Sequence, residues 1–373
     1  MNENNHYIPY SCQSIDNEDI KCVIESLKAD LITTGLRVSE FEDKIANFSN
    51  ASYATVVSSG TAALHAVMFA IGIKPGDEVI LPAISFISTA NAVVFQGGTP
   101  VFCDVNPDNL LIDVEEVEKK INDNTVAIIG VDYAGHPCDY ELLRNLADKH
   151  SLVLAIDSCH SLGASYCGKK VGEYADLAVY SFHPVKGITT GEGGAVVTSD
   201  QNYNYRCKIF RNHGITQDFK ERKGWYYEMC ELGYNYRITD FQCALGISQL
   251  KKLPNWIERK LEIADLYKAN LHHLARPLKN ESHVVNAYHL YVVHVPRRDM
   301  LFRQLRENNV GVNVHYMPIY MHPFYQKITK AFCPVAESCY NTILSLPMFP
   351  TLSNKDIFLV IDLINKEIMK NDE

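Results

Sequence analysis

Apolar positions along this chain change period repeatedly, and the changes mark out alternating helices and strands. Asp16 can cap a first helix in which Ile20, Val23, Ile24 and Leu27 recur at helical spacing. Residues 30–35, ending in Gly35, break it, and a second amphipathic stretch runs through Val38, Phe41, Ile45 and Phe48. Strand-like 53–58 leads into helical 61–72, with Leu64, Val67, Met68 and Ile71 on one face. The alternation continues as strand 78–81, helix 85–96, strand 101–104, helix 114–121, strand 126–131, helix 140–150 and strand 152–156. Two more apolar runs, 177–180 and 195–198, bracket a polar segment. This order predicts an α/β fold, a mostly parallel central sheet with helices on both faces. In such sheets ligands bind outside the carboxyl ends of the strands.

After Ser199 the pattern turns helical: 200–210, then 239–253 with Thr239 as cap, then a longer helix over 254–274. An irregular, aromatic-rich stretch, 224–237, lies between the first two. The remainder predicts a small α+β unit, with strands at 288–295 and 310–314 and helices at 298–308 and 355–369. We therefore expect a large unit over 1–275, with an N-terminal arm 1–13, and a smaller C-terminal unit over 276–373.

Composition narrows the function classes. The 35 Lys+Arg against 44 Asp+Glu give a net charge of −9, which disfavours nucleic acid as the main partner. No apolar run approaches the ~18 residues of a membrane span. The first residues lack the basic start and apolar core of a secretory signal. The eleven cysteines are scattered without a C-x-x-C pair, and several, such as Cys103 and Cys243, sit inside apolar segments. Free thiols in a reducing, cytoplasmic setting explain them better than disulfides or zinc. The fourteen histidines show no H-E-x-x-H spacing, so no metal is expected.

The chemistry concentrates between the two late apolar runs, in Ser181-Phe182-His183-Pro184-Val185-Lys186-Gly187. A lysine on a polar turn is ordinarily a surface residue, since burying its ammonium is costly. Upstream, however, apolar 152–156 runs straight into Asp157-Ser158-Cys159-His160. A lysine able to form a Schiff base, with an aspartate able to hold a protonated pyridine nitrogen, is the pairing that pyridoxal 5′-phosphate (PLP) needs. Without Lys186, Asp157 reads equally well as a helix cap. Ser58-Ser59-Gly60-Thr61-Ala62 joins a strand to a helix, where free amides make either a phosphate site or a plain N-cap. Phe86, just after a strand, can stack on a ring or fill the core. His160 can flank the ring or be structural, and Ser181 is a candidate phosphate donor. Gly191, Gly193 and Gly194 suit a tight turn. Gly233-Tyr234-Asn235-Tyr236-Arg237 is a polar, aromatic loop–helix junction, and His315-Tyr316-Met317-Pro318 is weaker still by itself. A nicotinamide enzyme would need G-x-G-x-x-G after the first strand, and Ser59-Gly60-Thr61 does not supply it.

The segments SSGTAAL, PAISFISTANA, DSCHSLGA, SFHPVKGITTGEGGAV and GYNYRITDFQCALGISQL together resemble the DegT/DnrJ/EryC1/StrS family of sugar aminotransferases. The resemblance runs in order from about Tyr10 to the C-terminus. It implies a fold-type I PLP enzyme that alternates between PLP and pyridoxamine phosphate (PMP). By that resemblance Lys186 is the Schiff-base lysine and proton shuttle, Asp157 pairs with the pyridine nitrogen, Phe86 stacks on the ring and His160 lies beside it. Gly60, Thr61, Ala62 and Ser181 surround the phosphate, joined by Asn235 from a second subunit, which implies a homodimer with shared sites. Tyr10, Asp30, Leu31, Ile32, Thr33, His183, Asn235, Arg237, His315, Tyr316, Met317, Pro318 and Tyr325 match stretches used around a sugar nucleotide. Cys159 departs from the small Ala or Ser that relatives often carry there.

Ile8-Pro9-Tyr10-Ser11, Asp132-Tyr133-Ala134-Gly135-His136 and 315–320 look most like members acting in pseudaminic acid biosynthesis. The implied reaction moves an amino group from L-glutamate to C4 of a UDP-linked 4-keto-6-deoxy-N-acetylhexosamine. Two alternatives remain beside it. A sugar dehydratase of the same fold carries histidine in place of the lysine, and a PLP-binding regulator would bind cofactor without turnover.

Overall fold

In a computed structural model, residues 6–216 and 224–370 are described. The chain opens with α1 (Asn17–Leu27) and α2 (Leu36–Phe48), then alternates β1 (Tyr53–Val57), α3 (Gly60–Ile71), β2 (Glu78–Pro82), α4 (Ser88–Phe95) and β3 (Thr99–Cys103). There follow α5 (Val114–Lys120), β4 (Thr125–Val131), α6 (Tyr140–His150), β5 (Val153–Asp157), β6 (Ser165–Tyr166), β7 (Leu177–Ser181) and β8 (Gly194–Thr198). The second half holds α7 (Gln201–Arg211), α8 (Asp240–Asn270), β9 (Arg276–Pro277), β10 (Val284–Val285), β11 (Tyr291–His294), α9 (Arg298–Glu307), α10 (Pro334–Tyr340), β12 (Ile343–Leu346) and α11 (Asn354–Met369).

Seven strands form the main sheet in the order β1-β8-β7-β5-β4-β2-β3. Only β8 runs against the rest, pairing antiparallel with both β1 and β7. The other six therefore end at one edge, as a mostly parallel fold-type I sheet requires. Their near-continuous burial reflects helices on both faces, and it explains why they read as apolar runs rather than as alternation. α3, in the middle of this packing, buries nearly its whole circumference; Ser59 caps its start and Gly72, at φ 91°, its end.

Two apolar clusters form the interior. The first surrounds the main sheet and also takes in Ile319, Tyr320, Tyr325, Ala336 and Ile343. The second gathers β11, β12, α9, α11, Ile8 and the far part of α8.

Several expectations are corrected. Helices 239–253 and 254–274 are one 31-residue helix that passes through Pro254. Proline removes one backbone bond, but Leu253 and Ile257 are buried on either side of it in the same core, and that packing outweighs the loss. Residues 310–314 form only single bridges, Val310 to Ile8 and Asn313 to Ser345, because the N-terminal arm lies against them: Gly311 N donates to Ile8 O (2.6 Å). The strand at 343–346 and helix α10 carried no strong local period and were not anticipated. The fourth helix begins at Ser88, so Phe86 precedes it.

The largest surprise is α1. Its expected apolar face looks outward, with Ile20, Ile24 and Leu27 at 49%, 45% and 51% exposure. The helix is anchored instead by its polar face. Asp19, fully buried, pairs with Lys252 of α8 (2.9 Å) and accepts from Gln249 Nε2 (2.7 Å). Removing one partner of such a pair leaves the other charge buried and uncompensated, which costs about 3–5 kcal/mol.

Candidate active site

A cavity of about 660 Å³ opens at the carboxyl ends of the parallel strands. Each wall follows from the topology. β5 lies between β4 and β7, with Asp157 in register with Val131 on one side and Val179 on the other. The hairpin that leaves β7 and returns along β8 carries Lys186, so the lysine comes back over the end of β5.

At one end of the cavity sits the start of α3. Ser58, Ser59, Gly60 and Thr61 line it together with Ser181. A Cβ built on Gly60 would lie 2.8 Å from Ser181 Cβ and 3.3 Å from Cys159 Sγ, so only glycine permits three strand ends to meet here. The first amides of a helix have no partner within it, and the helix dipole favours an anion there. Ser59 Oγ accepts from Ala62 N (3.0 Å), so the Ala62 amide is already capped; Gly60 and Thr61 reach the cavity and Ala62 does not line it.

At the other end Asp157 is buried, with Oδ2 accepting from Thr89 Oγ1 (2.7 Å) and Oδ1 from Cys159 N (3.3 Å). Thr89 is itself bonded at 2.8 Å to the hydroxyl of Ser85, in the loop before α4. Lys186 lines the same cavity. Burial pulls its ammonium below the usual lysine value, against the opposing influence of Cys159 and Asp157. The Cys159 thiol is pushed up, chiefly by burial and then by the Asp157 charge, so it stays protonated and inert.

Histidines and tyrosines form the far wall. His160 packs 4.2 Å, centroid to centroid, from His289, and its Nε2 lies 3.3 Å from the Tyr316 hydroxyl. Its Nδ1 is buried without a hydrogen-bond partner among the described residues. Burial, then the Lys186 charge, hold His160 well below the ordinary histidine value; His289 is also held well below it, by burial and then by His160 and Lys186. His315 is drawn down to about 4 by burial and Lys186, with Nδ1 against Ser345 Oγ (2.9 Å) and Nε2 against Asn313 Nδ2 (3.2 Å). The Tyr133 hydroxyl donates to His315 O, joining this wall to the end of β4. These rings are neutral near pH 7, able to accept or orient protons but not to supply fixed positive charge.

The residues singled out in the sequence divide into two groups. Tyr10, Gly60, Thr61, Phe86, Asp157, His160, Ser181, His183, Lys186, His315 and Tyr316 all line the cavity. Phe86 is 51% exposed at its rim, an apolar ring with an open face. The second group lies elsewhere on this chain. Asn235 bridges to Asn212, and Arg237 Nη1 donates to Asn212 Oδ1 (2.8 Å). Asp30, Leu31, Ile32 and Thr33 run along the start of α8, with Ile32 O accepting from Asp240 N (2.9 Å). Met317 and Pro318 do not line the cavity, and Ile319 N donates to Ala83 O (2.9 Å) just beyond them. Tyr325 is packed in the main core, its hydroxyl donating to Asn91 Oδ1 (2.6 Å), so its side chain is committed within this chain.

Sequence reasoning missed His289, Thr89, Asn313 and Glu192. Glu192 sits in the glycine turn and lines the cavity. Thr89 was visible only as a helix residue, and its bond to Ser85, which precedes the helix, has no period to announce it. Nothing local marks His289.

The description "DegT/DnrJ/EryC1/StrS aminotransferase family" belongs to the family model that matches residues 13–365. This chain belongs to the DegT/DnrJ/EryC1/StrS family. Among members it is 38% identical to an uncharacterised protein, MJ1066, of Methanocaldococcus jannaschii, over 98% of each chain. It is 37% identical to the UDP-4-amino-4,6-dideoxy-N-acetyl-beta-L-altrosamine transaminase of Campylobacter jejuni (strain 81-176), covering 95% of this chain and 96% of that one. It is 35% identical to the GDP-perosamine synthase of Escherichia coli O157:H7, covering 96% and 98%. Helicobacter pylori PseC, an aminotransferase of pseudaminic acid biosynthesis, superposes with a TM-score of 0.92 at 34% identity, covering 98% and 100%. Streptococcus pneumoniae Spr1654 in its PMP form superposes with a TM-score of 0.93 at 28% identity, covering 97% and 99%, and it is also solved in a PLP form.

As a sugar aminotransferase of the DegT/DnrJ/EryC1/StrS family, the chain uses PLP as cofactor. The cavity fits that group: helix-start amides and hydroxyls, a buried carboxylate, a half-buried lysine and an exposed aromatic ring all line it. When bound, PLP supplies an electron sink that makes a Cα–H bond acidic. Among the described residues no helix is long and apolar enough to cross a membrane.

Proposed function

We propose that this protein transfers an amino group from L-glutamate to C4 of a UDP-linked 4-keto-6-deoxy-N-acetylhexosamine, for pseudaminic acid or a related amino sugar. UDP-2-acetamido-2,6-dideoxy-β-L-arabino-4-hexulose is the favoured acceptor. The observation that carries the chemistry is Lys186 and Asp157 lining one cavity from adjacent strand ends. The sugar class is supported by the family and by the names of its relatives.

In this reading Lys186 holds the cofactor, and its amine, once free, takes the proton from the donor Cα. In the second half it delivers a proton to sugar C4. Burial lowers its pKa, which raises the fraction of neutral amine available as base. Asp157 keeps the pyridine nitrogen protonated, Thr89 holds Asp157 in place, and Gly60, Thr61 and Ser181 bind the phosphate. Phe86 covers the ring. Tyr10, His183, His315 and Tyr316 border the sugar.

The test is a panel of UDP-4-keto-6-deoxy-HexNAc isomers, with GDP-4-keto-6-deoxymannose as competitor and L-glutamate as donor, products read by mass and NMR. We expect a 4-amino product from the UDP-linked L-arabino isomer. Amination of the GDP sugar alone would overturn the assignment and point to the perosamine-type reaction.

The protein acts as a homodimer in this reading. Asn235, Arg237 and residues 30–33 do not line their own chain's cavity, and Ile20, Ile24, Leu27, Leu31, Ile32 and Leu36 are exposed apolar side chains near the start of the chain. A second copy seated on these side chains would bury them and bring Asn235, Arg237 and residues 30–33 to its own cavity. Mixing Lys186→Ala with Asn235→Ala protein should then restore activity, up to about a quarter of wild type, through the one intact site in each heterodimer. Heterodimers that form without any rescue would count against shared sites.

A further inference from the structure

Asp132 directly follows β4 and is wholly buried, at 0% exposure. Its Oδ2 accepts from three hydroxyls, Tyr140 (2.6 Å), Ser158 (2.8 Å) and Ser161 (2.5 Å). Its Oδ1 accepts from Cys138 N at 3.0 Å. Its backbone N donates to Asp157 O (3.1 Å). Burial pushes this carboxyl upward and the four donors oppose it; burial is the larger influence.

The donors come from places that matter. Ser158 and Ser161 bracket Cys159 and His160, so both anchors of the turn after Asp157 converge on one oxygen. Ser161 N also donates to Ser158 O (3.0 Å), closing the turn on itself. Tyr140 opens α6 and ties the same oxygen to a rigid helix. Asp132 does not line the cavity. Two groups that do, Asp157 and His160, are carried on the segment it fastens.

We propose that Asp132 is a positioning residue: through Ser158 and Ser161 it sets the turn that presents Asp157 and His160 to the cofactor cavity. A buried acceptor with several donors is costly to disturb, because each displaced hydroxyl must find another partner in an environment without water. An asparagine has the same shape but only one acceptor oxygen, so either the Cys138 amide or the cluster of three hydroxyls faces an NH2 group instead. The inference rests on the Lys186–Asp157 reading above.

The experiment compares wild type with Asp132→Asn, Ser158→Ala, Ser161→Ala and the double serine variant, all loaded with PLP. The readouts are the pH titration of the visible cofactor band, cofactor affinity, thermal stability, and kcat apart from KM. We expect the band's titration midpoint in Asp132→Asn to move by roughly half a pH unit or more, because that midpoint reads the alignment of Asp157 with the ring. We expect kcat to fall about tenfold or more, with KM for the sugar nearly unchanged. The serine variants should shift the band in the same direction by smaller steps, which keeps the test open if Asp132→Asn does not fold. A lower melting temperature with an unmoved band and kcat in every folded variant would overturn the proposal and leave Asp132 a purely structural residue. A wild-type protein with no visible band would instead overturn the Lys186 reading, and this one with it.

Discussion

Lys186→Ala is expected to abolish amino transfer, by about 10³-fold or more. One positioned general base contributes typically 10²–10⁴-fold, and this lysine also provides the covalent hold on the cofactor. Neighbouring groups offer no substitute. His160 and His315 are neutral and within electrostatic reach of Lys186, but an imidazole cannot form the same link to an aldehyde. The fold should survive, because Lys186 makes no side-chain ion pair among the described residues and replacing it removes a desolvation cost. The check has two parts: turnover with glutamate and the keto sugar, and borohydride reduction followed by peptide mapping. Wild type should carry the reduced cofactor at Lys186. A variant that still turned over at a tenth of the wild-type rate would remove this lysine from its assigned role.

Asp157→Asn should cost about 10²–10³-fold in turnover, the range seen when one preorganised electrostatic partner is lost. The substitution conserves shape. The Thr89 hydroxyl can still donate to the remaining carbonyl oxygen, so folding and cofactor binding should be close to normal. What disappears is the negative charge that keeps the pyridine nitrogen protonated, and with it the ring's ability to accept electrons. A tenfold change corresponds to ~1.4 kcal/mol, so the expected loss is a weakening of about 3–4 kcal/mol in that one interaction. The measurement is kcat for each half-reaction, with melting temperature as control. Near-normal rates in a well-folded variant would show that Asp157 is not the pyridinium partner.

Both residues were legible in the sequence from their place against apolar runs. Asp157 directly follows one and Lys186 lies in the polar turn between two others, and in a sheet of this kind ligands bind beyond the strand ends. Gly60, Thr61, Ser181 and Phe86 were legible in the same way. What supports them was not. Thr89 reaches Asp157 from 68 positions away, and Tyr316 reaches His160 from 156 positions away. No local period encodes such a meeting; it depends on the order in which strands enter the sheet. α1 makes the converse point. Its amphipathic spacing was read correctly as a helix, but that spacing left open which side packs inward. A moment reports that two faces differ, and it does not say which one packs against the same chain. Here an ion pair to Lys252 fixed the polar side inward.

By itself, then, the sequence determined the alternation of helices and strands, the cofactor lysine and its aspartate as candidates, and the family. Those features depend on caps, periods and residues within a few positions of one another. Only the tertiary structure decided that β8 runs antiparallel, that α8 continues through Pro254, that His289 packs on His160 and that Asp132 gathers Ser158 and Ser161. Each of these is a packing outcome between segments distant in the chain. It is settled by burial and hydrogen-bond satisfaction over the whole fold, which no window of residues contains.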